Sequence, residues 1–254
     1  VSLTVTDTVL DGVSLEPGAN GTEVVNATVT EIGTGVTLGN AFELGSSNSR
    51  LTNVTARANN NISVVVGGTG NVLRDVNASD GPVSGAYITG TNTTVTSSVF
   101  NNNTFAGALV TPSGDASVFE DVTASDNGDG NRGAGFAVAS SSNALMNVTA
   151  NGNARYGVGV VGGSVGNRIN DSEALRNEAR GIGIAGSRTE VVNVNASDNG
   201  DRGINVSSSG NVLDDITTNN NSDGVAVTGD NNTVTALTAN ANDDDGLDAD
   251  NSSG

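Results

Sequence analysis

Four arginines stand at equivalent points of a repeated pattern. Arg132, Arg155, Arg180 and Arg202 each lie one to three residues before a glycine that opens an apolar, any, apolar triplet. A guanidinium presents a planar fork of N–H donors that matches carboxylate, sulfate or phosphate, so a row of them is a candidate ligand-binding set for acidic sugars or phosphates. The competing use is local. Asp129, Glu178 and Asp201 are close in sequence, and exposed turn arginines pair with such neighbours for under ~1 kcal/mol.

Clusters of oxygen side chains are the second candidate chemistry. Asp126-Asn127-Gly128-Asp129-Gly130-Asn131 sets oxygens two or three positions apart in a glycine-rich stretch, a donor set suited to a hard cation. It is not an EF-hand, because no glutamate follows at the spacing that motif requires. Asp243, Asp244 and Asp245 are expected one coil from Asp223. The candidate metal ligands are therefore Asp126, Asp129, Asn131, Asp223, Asp243 and Asp245, with calcium as the implied ion and solvated surface acids as the alternative. Nothing indicates an organic cofactor.

Other chemistries fall away on inventory. The chain has no His, Cys or Trp, and its 10 basic residues are all arginine. Imidazole acid–base catalysis, cysteine nucleophiles, P-loop lysines and imidazole or thiolate metal sites are excluded. Asp214-Asp215 offers a carboxylate pair, but no catalytic residue is assigned. Against the 10 arginines stand 28 acids, a net charge of −18 and a pI near 4.1. That balance argues against nucleic acid as a partner. An acidic, lysine-free surface resembles the proteins of halophilic archaea, in which salt screens self-repulsion, so stability is expected to rise with salt. No apolar run is long enough to span a bilayer, and an extracellular or cell-surface location is expected.

What must position these residues is a repeat. Leu51, Leu73, Val95, Phe119, Leu145, Ile169, Val191, Leu213 and Val234 recur at spacings of 21 to 26 residues. Apolar or small residues follow three and five positions on, as in Val54 and Ala56 or Val148 and Ala150. Eight positions on come Asn59, Gly81, Asn103, Asn127, Asn153, Asn177, Asn199, Asn221 and Asn242. Asn and Gly tolerate positive φ, so this column is expected to be a left-handed corner in each coil. A second strand follows, its first apolar residue falling at 13, 36, 64, 86, 108, 136, 158, 182, 204, 225 and 247. Gly35-Val36-Thr37-Leu38 is its expected form in the second coil. Insertions interrupt the rhythm near Gly39 to Ser47 and near Asp126 to Arg132, and insertions in solenoids become loops on one face.

The asparagine column, the glycine-led strands and the openings Asn71-Val72-Leu73, Asn143-Ala144-Leu145, Asn167-Arg168-Ile169 and Asn211-Val212-Leu213 together resemble the parallel β-helix repeats of the pectin-lyase-like superfamily. The resemblance implies an all-β fold, a right-handed parallel β-helix of about eleven coils. It spans 1–254 as a single domain, expected to be a segment of a larger protein or a stacking subunit, since no helical cap is visible at either end. That superfamily includes polysaccharide lyases and hydrolases, phage tailspikes, copper-site assembly proteins and archaeal surface proteins, so the fold alone leaves activity open. Its hydrolases pair aspartates with a histidine, which is missing here. Its lyases use carboxylates to hold calcium and an arginine or lysine as base, and acids and arginines are present.

Asn-x-Ser/Thr occurs at Asn20, Asn26, Asn53, Asn61, Asn77, Asn92, Asn102, Asn147, Asn170, Asn195, Asn205, Asn220, Asn231 and Asn251. These are candidate glycosylation sites, although a fold that wants Asn at corners and Thr on strands produces such triplets unaided. The reading favoured by sequence is a non-catalytic extracellular rod, a stalk, adhesin or filament subunit that self-associates or meets neighbouring surface proteins. The alternatives are a calcium-assisted polysaccharide lyase or other glycan-active enzyme, and a glycan-binding viral or cellular spike, each with carbohydrate as partner. A clustered groove of Asp and Arg on one strand face would favour the enzyme, and uniformly polar faces the rod.

Overall fold

The computed structural model describes residues 3–33, 38–130 and 132–249. Short runs with period-two burial and β-branched residues form strands, and the coil-length spacing between equivalent runs makes their pairing parallel. Among the described residues, 22 strands form two sheets of 11, with every strand pairing parallel. The first sheet runs from Leu3–Thr6 to Thr233–Thr238 and the second from Val13–Leu15 to Leu247–Asp248. Each coil contributes one strand to each sheet, so the chain winds as a right-handed parallel β-helix of eleven coils.

The bore between the sheets is the core. Leu51 pairs with Leu73, Leu73 with Val95 and Val95 with Phe119, and all four side chains are fully buried. Phe119 meets Phe136 of the opposite sheet edge to face, with ring centroids 5.6 Å apart. The glycines that open the second-sheet strands mark a tight corner. A Cβ on Gly157 would lie 2.7 Å from the Ala150 carbonyl oxygen and 2.8 Å from the Ala174 Cβ, so no larger residue fits there.

Two expectations need correction. The second coil's strand in the second sheet is Phe42–Leu44 and does not contain Val36: Val13 pairs with Phe42, and Phe42 with Val64. Residues 35–37 of the expected strand lie outside the described residues, and Leu38 is exposed. Phe42-Glu43-Leu44 carries the same apolar alternation and fills the bore better, while Ala41 takes the place of the signal glycine that pointed to the wrong triplet. The insertion therefore precedes this strand.

The asparagine column is not the left-handed corner. Positive φ falls one residue earlier, at Asn102 (54°), Asp126 (56°), Arg176 (54°) and Asp198 (60°). The asparagines themselves turn inward and form a buried amide ladder. Each Nδ2 donates to the Oδ1 of the next coil, from Asn103 to Asn127 at 3.0 Å, on to Asn153 at 3.1 Å, to Asn177 at 3.0 Å and to Asn199 at 3.0 Å. Each Oδ1 also accepts a backbone N–H, as Asn177 does from Asn153 at 2.9 Å. The strand-opening asparagines form shorter ladders, Asn143 to Asn167 at 3.1 Å and Asn211 to Asn232 at 3.0 Å. A buried amide left unpaired would cost ~1–3 kcal/mol, and from Asn103 to Asn199 the stack satisfies both ends of each member.

Candidate functional site

The outward middle positions of the second sheet form one column, in which Tyr87 pairs with Leu109, Leu109 with Ala137, Ala137 with Gly159, Gly159 with Gly183, and Gly183 with Asn205. Side chains shrink to nothing at 159 and 183, leaving a groove of about 360 Å³ on this face. The Tyr156 ring lies over that floor. A Cβ on Gly159 would touch it at 3.4 Å and one on Gly183 at 3.9 Å. Phe105 and Val161, both exposed, add apolar surface to the walls.

Arg132, Arg155 and Arg180 all line the groove. They do not form the even row expected from spacing. Arg180 pairs in register with Tyr156, and Arg202 with Asp223, whereas Arg155 is offset by one residue and Arg132 sits on the inserted loop. There Asp129 and Arg132 exchange backbone hydrogen bonds of 3.0 and 3.3 Å. The Arg155 guanidinium carbon lies 4.5 Å from the Tyr156 ring centroid and that of Arg180 lies 5.8 Å from it, both within cation–π range.

The arginines divide by partner. Arg180 Nε meets Asp201 Oδ2 at 3.0 Å. Arg202 Nε meets Asp223 Oδ2 at 2.9 Å and donates from a terminal nitrogen to Asn205 Oδ1 at 2.8 Å. The Asp223 hydrogen bond raises the Arg202 pKa above its ordinary value, so this guanidinium stays charged. Among the described residues no carboxylate forms an ion pair with Arg132 or Arg155, and neither Asp129 nor Glu178 takes the pairing role its sequence position offered. Two guanidiniums thus face the groove with their charge unspent.

The acids assemble differently from expectation. Carboxylate oxygens of Asp223, Asp244 and Asp245 lie within 4.8 Å of one another. Asp244, not Asp243, joins Asp245 and Asp223. A hard cation would be held by these three, one of which Arg202 already engages. Asp126 and Asp129 join no such group among the described residues, Asn127 between them is buried in the amide ladder, and Asn131 lies outside the described residues. Among the sequons, Asn20, Asn26, Asn53, Asn92, Asn102, Asn147, Asn220 and Asn231 are exposed, Asn61, Asn77, Asn170 and Asn195 half-buried and Asn205 buried, while Asn251 is outside the described residues.

Sequence reasoning missed Tyr156, the centre of the groove. The available signal was its position beside Arg155 with glycine at 159 and 183, where other coils carry side chains.

A continuous two-sheet solenoid with a grooved outer strand face defines a right-handed parallel β-helix protein. Residues 40–195 match the family described as right handed beta helix region, and the chain belongs to that family. Among curated proteins none is significantly similar to it. Solved structures share the fold. The A-module of mannuronan C-5 epimerase AlgE6 from Azotobacter vinelandii is 14% identical, with a TM-score of 0.62 over 94% of this chain and 91% of that one. Pectate lyase Pel9A is 15% identical, with a TM-score of 0.58 over 97% of this chain and 70% of that one. Tailspike protein 2 of the Escherichia coli O157:H7 bacteriophage CAB120 is 11% identical, with a TM-score of 0.65 over 86% of this chain and 35% of that one.

Proposed function

We propose that this chain is a glycan-active β-helix protein that takes an acidic polysaccharide on the groove centred on Tyr156. One observation carries the proposal: an aromatic ring over a glycine floor, with the Arg155 guanidinium 4.5 Å from its centroid and no carboxylate paired to that guanidinium among the described residues. A ring face receives the C–H face of a sugar, and free guanidiniums receive its carboxylates. On a chain of net charge −18, a groove that keeps Arg132 and Arg155 unpaired is selective for an anion that brings its own apolar surface. The epimerase, lyase and tailspike of like fold support a glycan as the ligand class. A groove lined by Arg132, Arg155 and Arg180 favours this reading over the uniformly polar faces expected of a purely structural rod. Such polymers lie outside the cytoplasm, which agrees with an extracellular or cell-surface location.

Abstraction of the proton beside a uronate carboxylate requires that the carboxylate charge be offset, which Arg155 and Arg132 would do. With no imidazole in the chain, Tyr156, which lines the groove, would in its deprotonated form take that proton and return it to the departing O4 in elimination, while in epimerisation solvent would deliver a proton to the opposite face. Polymannuronate, polygalacturonate and neutral dextran test the proposal, with binding followed by Tyr fluorescence, elimination by absorbance of the new C4–C5 double bond, and epimerisation by solvent deuterium uptake at C5. The two uronates should bind and dextran should not, with binding lost in Tyr156→Ala and Arg155→Gln. Failure of both uronates to bind the folded wild type would reject the proposal.

A further inference from the structure

We infer that the groove recognises the end of an acidic chain and not its interior, with Asp201 and Asp223 forming the closed side; this rests on the reading of the groove as an acidic-glycan site. The groove follows the rod axis from the coil of Ala106 to that of Asn205. Four inter-strand steps of ~4.8 Å make that about 19 Å, the reach of a short oligosaccharide.

Charge changes sign along this line. At one end Arg132 and Arg155 have no acidic partner among the described residues. Next, Arg180 and Arg202 are each neutralised, by Asp201 at 3.0 Å and Asp223 at 2.9 Å. Beyond them, the register that places Asp223 after Arg202 also places Asp248 after Ala226 on the outward column, and Asp244 and Asp245 gather against Asp223. No arginine follows Arg202 in the sequence. A polyanion lying on the groove gains from the first two guanidiniums, and its next carboxylates then run onto a run of like charges. At the opposite end no acid lines the groove: Phe105 and Ala106 stand at the mouth, and Leu109, Tyr87 and Val65 occupy the outward column before Glu43, two coils beyond Tyr87. A chain therefore enters from that side and stops with its terminal sugar against the Asp201 and Asp223 side.

The test uses the full chain in a chelator, so that no divalent ion masks the acids, with tetramannuronate and end-counted polymannuronate, and with the galacturonate pair in parallel. Calorimetry gives affinity and sedimentation gives the number of proteins per polymer. The expected result is equal affinity per chain end for tetramer and polymer, and one protein bound per polymer at saturation. Asp201→Asn, checked for native circular dichroism, should raise the number bound per polymer. Several wild-type proteins along one polymer, or polymer binding much tighter than tetramer, would overturn chain-end recognition while leaving the acidic-glycan reading standing. Absence of binding by every uronate would instead remove the acidic-glycan reading, and this inference with it.

Discussion

Asn103 Oδ1 accepts the Gly81 backbone N–H at 3.0 Å, yet Gly81 has no amide to offer Asn59 in the coil before it. Asn59 Nδ2 is consequently buried without an acceptor; its Oδ1, which would accept from the coil before, is buried without a partner too, and so is the neighbouring Ser63 Oγ. Gly81 does not need glycine's freedom, since its φ is not positive. Its added Cβ would lie 2.9 Å from the Asn103 Oδ1 and 3.2 Å from the Ser63 Oγ, both side-chain atoms able to yield a little. Gly81→Asn should therefore extend the ladder to Asn59 and stabilise the fold by about 1 kcal/mol. A rise in denaturation midpoint with unchanged slope supports this, and a fall rejects it.

The converse substitution breaks the ladder in its middle. Asn177 receives from Asn153 Nδ2 at 3.0 Å and donates to Asn199 Oδ1 at 3.0 Å. Asn177→Val strands both neighbours and should cost about 2–4 kcal/mol. The corner itself lies at Arg176, so Arg176→Gly should be neutral or better, in contrast. Equal losses from the two variants in urea titrations would contradict this division of roles.

Arg202 provides the pH prediction. Its pKa is raised, chiefly by the Asp223 hydrogen bond. A base with a raised folded pKa keeps its full stabilisation below the unfolded value and loses it only as pH climbs through the folded one. Arg202→Gln should lower stability by about 2 kcal/mol. The gap to wild type should stay constant between about pH 7 and pH 10, because arginine titrates well above that range. A gap that shrinks within that window would count against the assignment.

Asn205 should carry no glycan even where other sequons are modified. It is 8% exposed, and its Oδ1 holds the Arg202 guanidinium at 2.8 Å. Glycopeptide mass spectrometry of chain expressed in a glycosylating host should find sugars at exposed positions such as Asn53 or Asn231 and none at Asn205. Substantial occupancy of Asn205 would mean that the groove floor opens before or after folding.

Salt should stabilise the rod. A net charge of −18 on a narrow solenoid repels itself, and raising salt from ~0.1 M to ~1 M shortens the screening length from ~10 Å to ~3 Å. Thermal midpoints should climb across that range in NaCl and in KCl alike. A flat or falling profile would remove the halophile expectation.

The coils were legible because inward positions repeat by type: Leu, Val and Phe at one column and Ala at another leave a mark that survives insertions. The corner was misplaced by one residue because asparagine serves two physical ends, tolerance of positive φ and amide stacking, and composition cannot tell them apart. Asn177 does the second, while Arg176 adopts the φ that the column seemed to announce. Phe42 escapes a glycine-led strand pattern because Ala41 precedes it. The groove was half legible. Arginine spacing pointed to the right edge, but Tyr156 becomes meaningful only when two glycines from successive coils are seen to lie under its ring, a relationship between residues separated by a whole coil.

The backbone bonds that join coil to coil, such as Phe100 N–H to the Thr123 carbonyl at 2.8 Å, all run along the rod, as does the amide ladder. Tension between the two ends therefore loads the coils in series. A stretched molecule should yield one coil at a time, each released turn of roughly 22 residues paying out about 75 Å of slack. A sideways pull meets many bonds in parallel and is resisted far more stiffly. A polymer held in the groove lies along the rod axis, so a pull on it loads the coils in series, the direction in which they release one at a time.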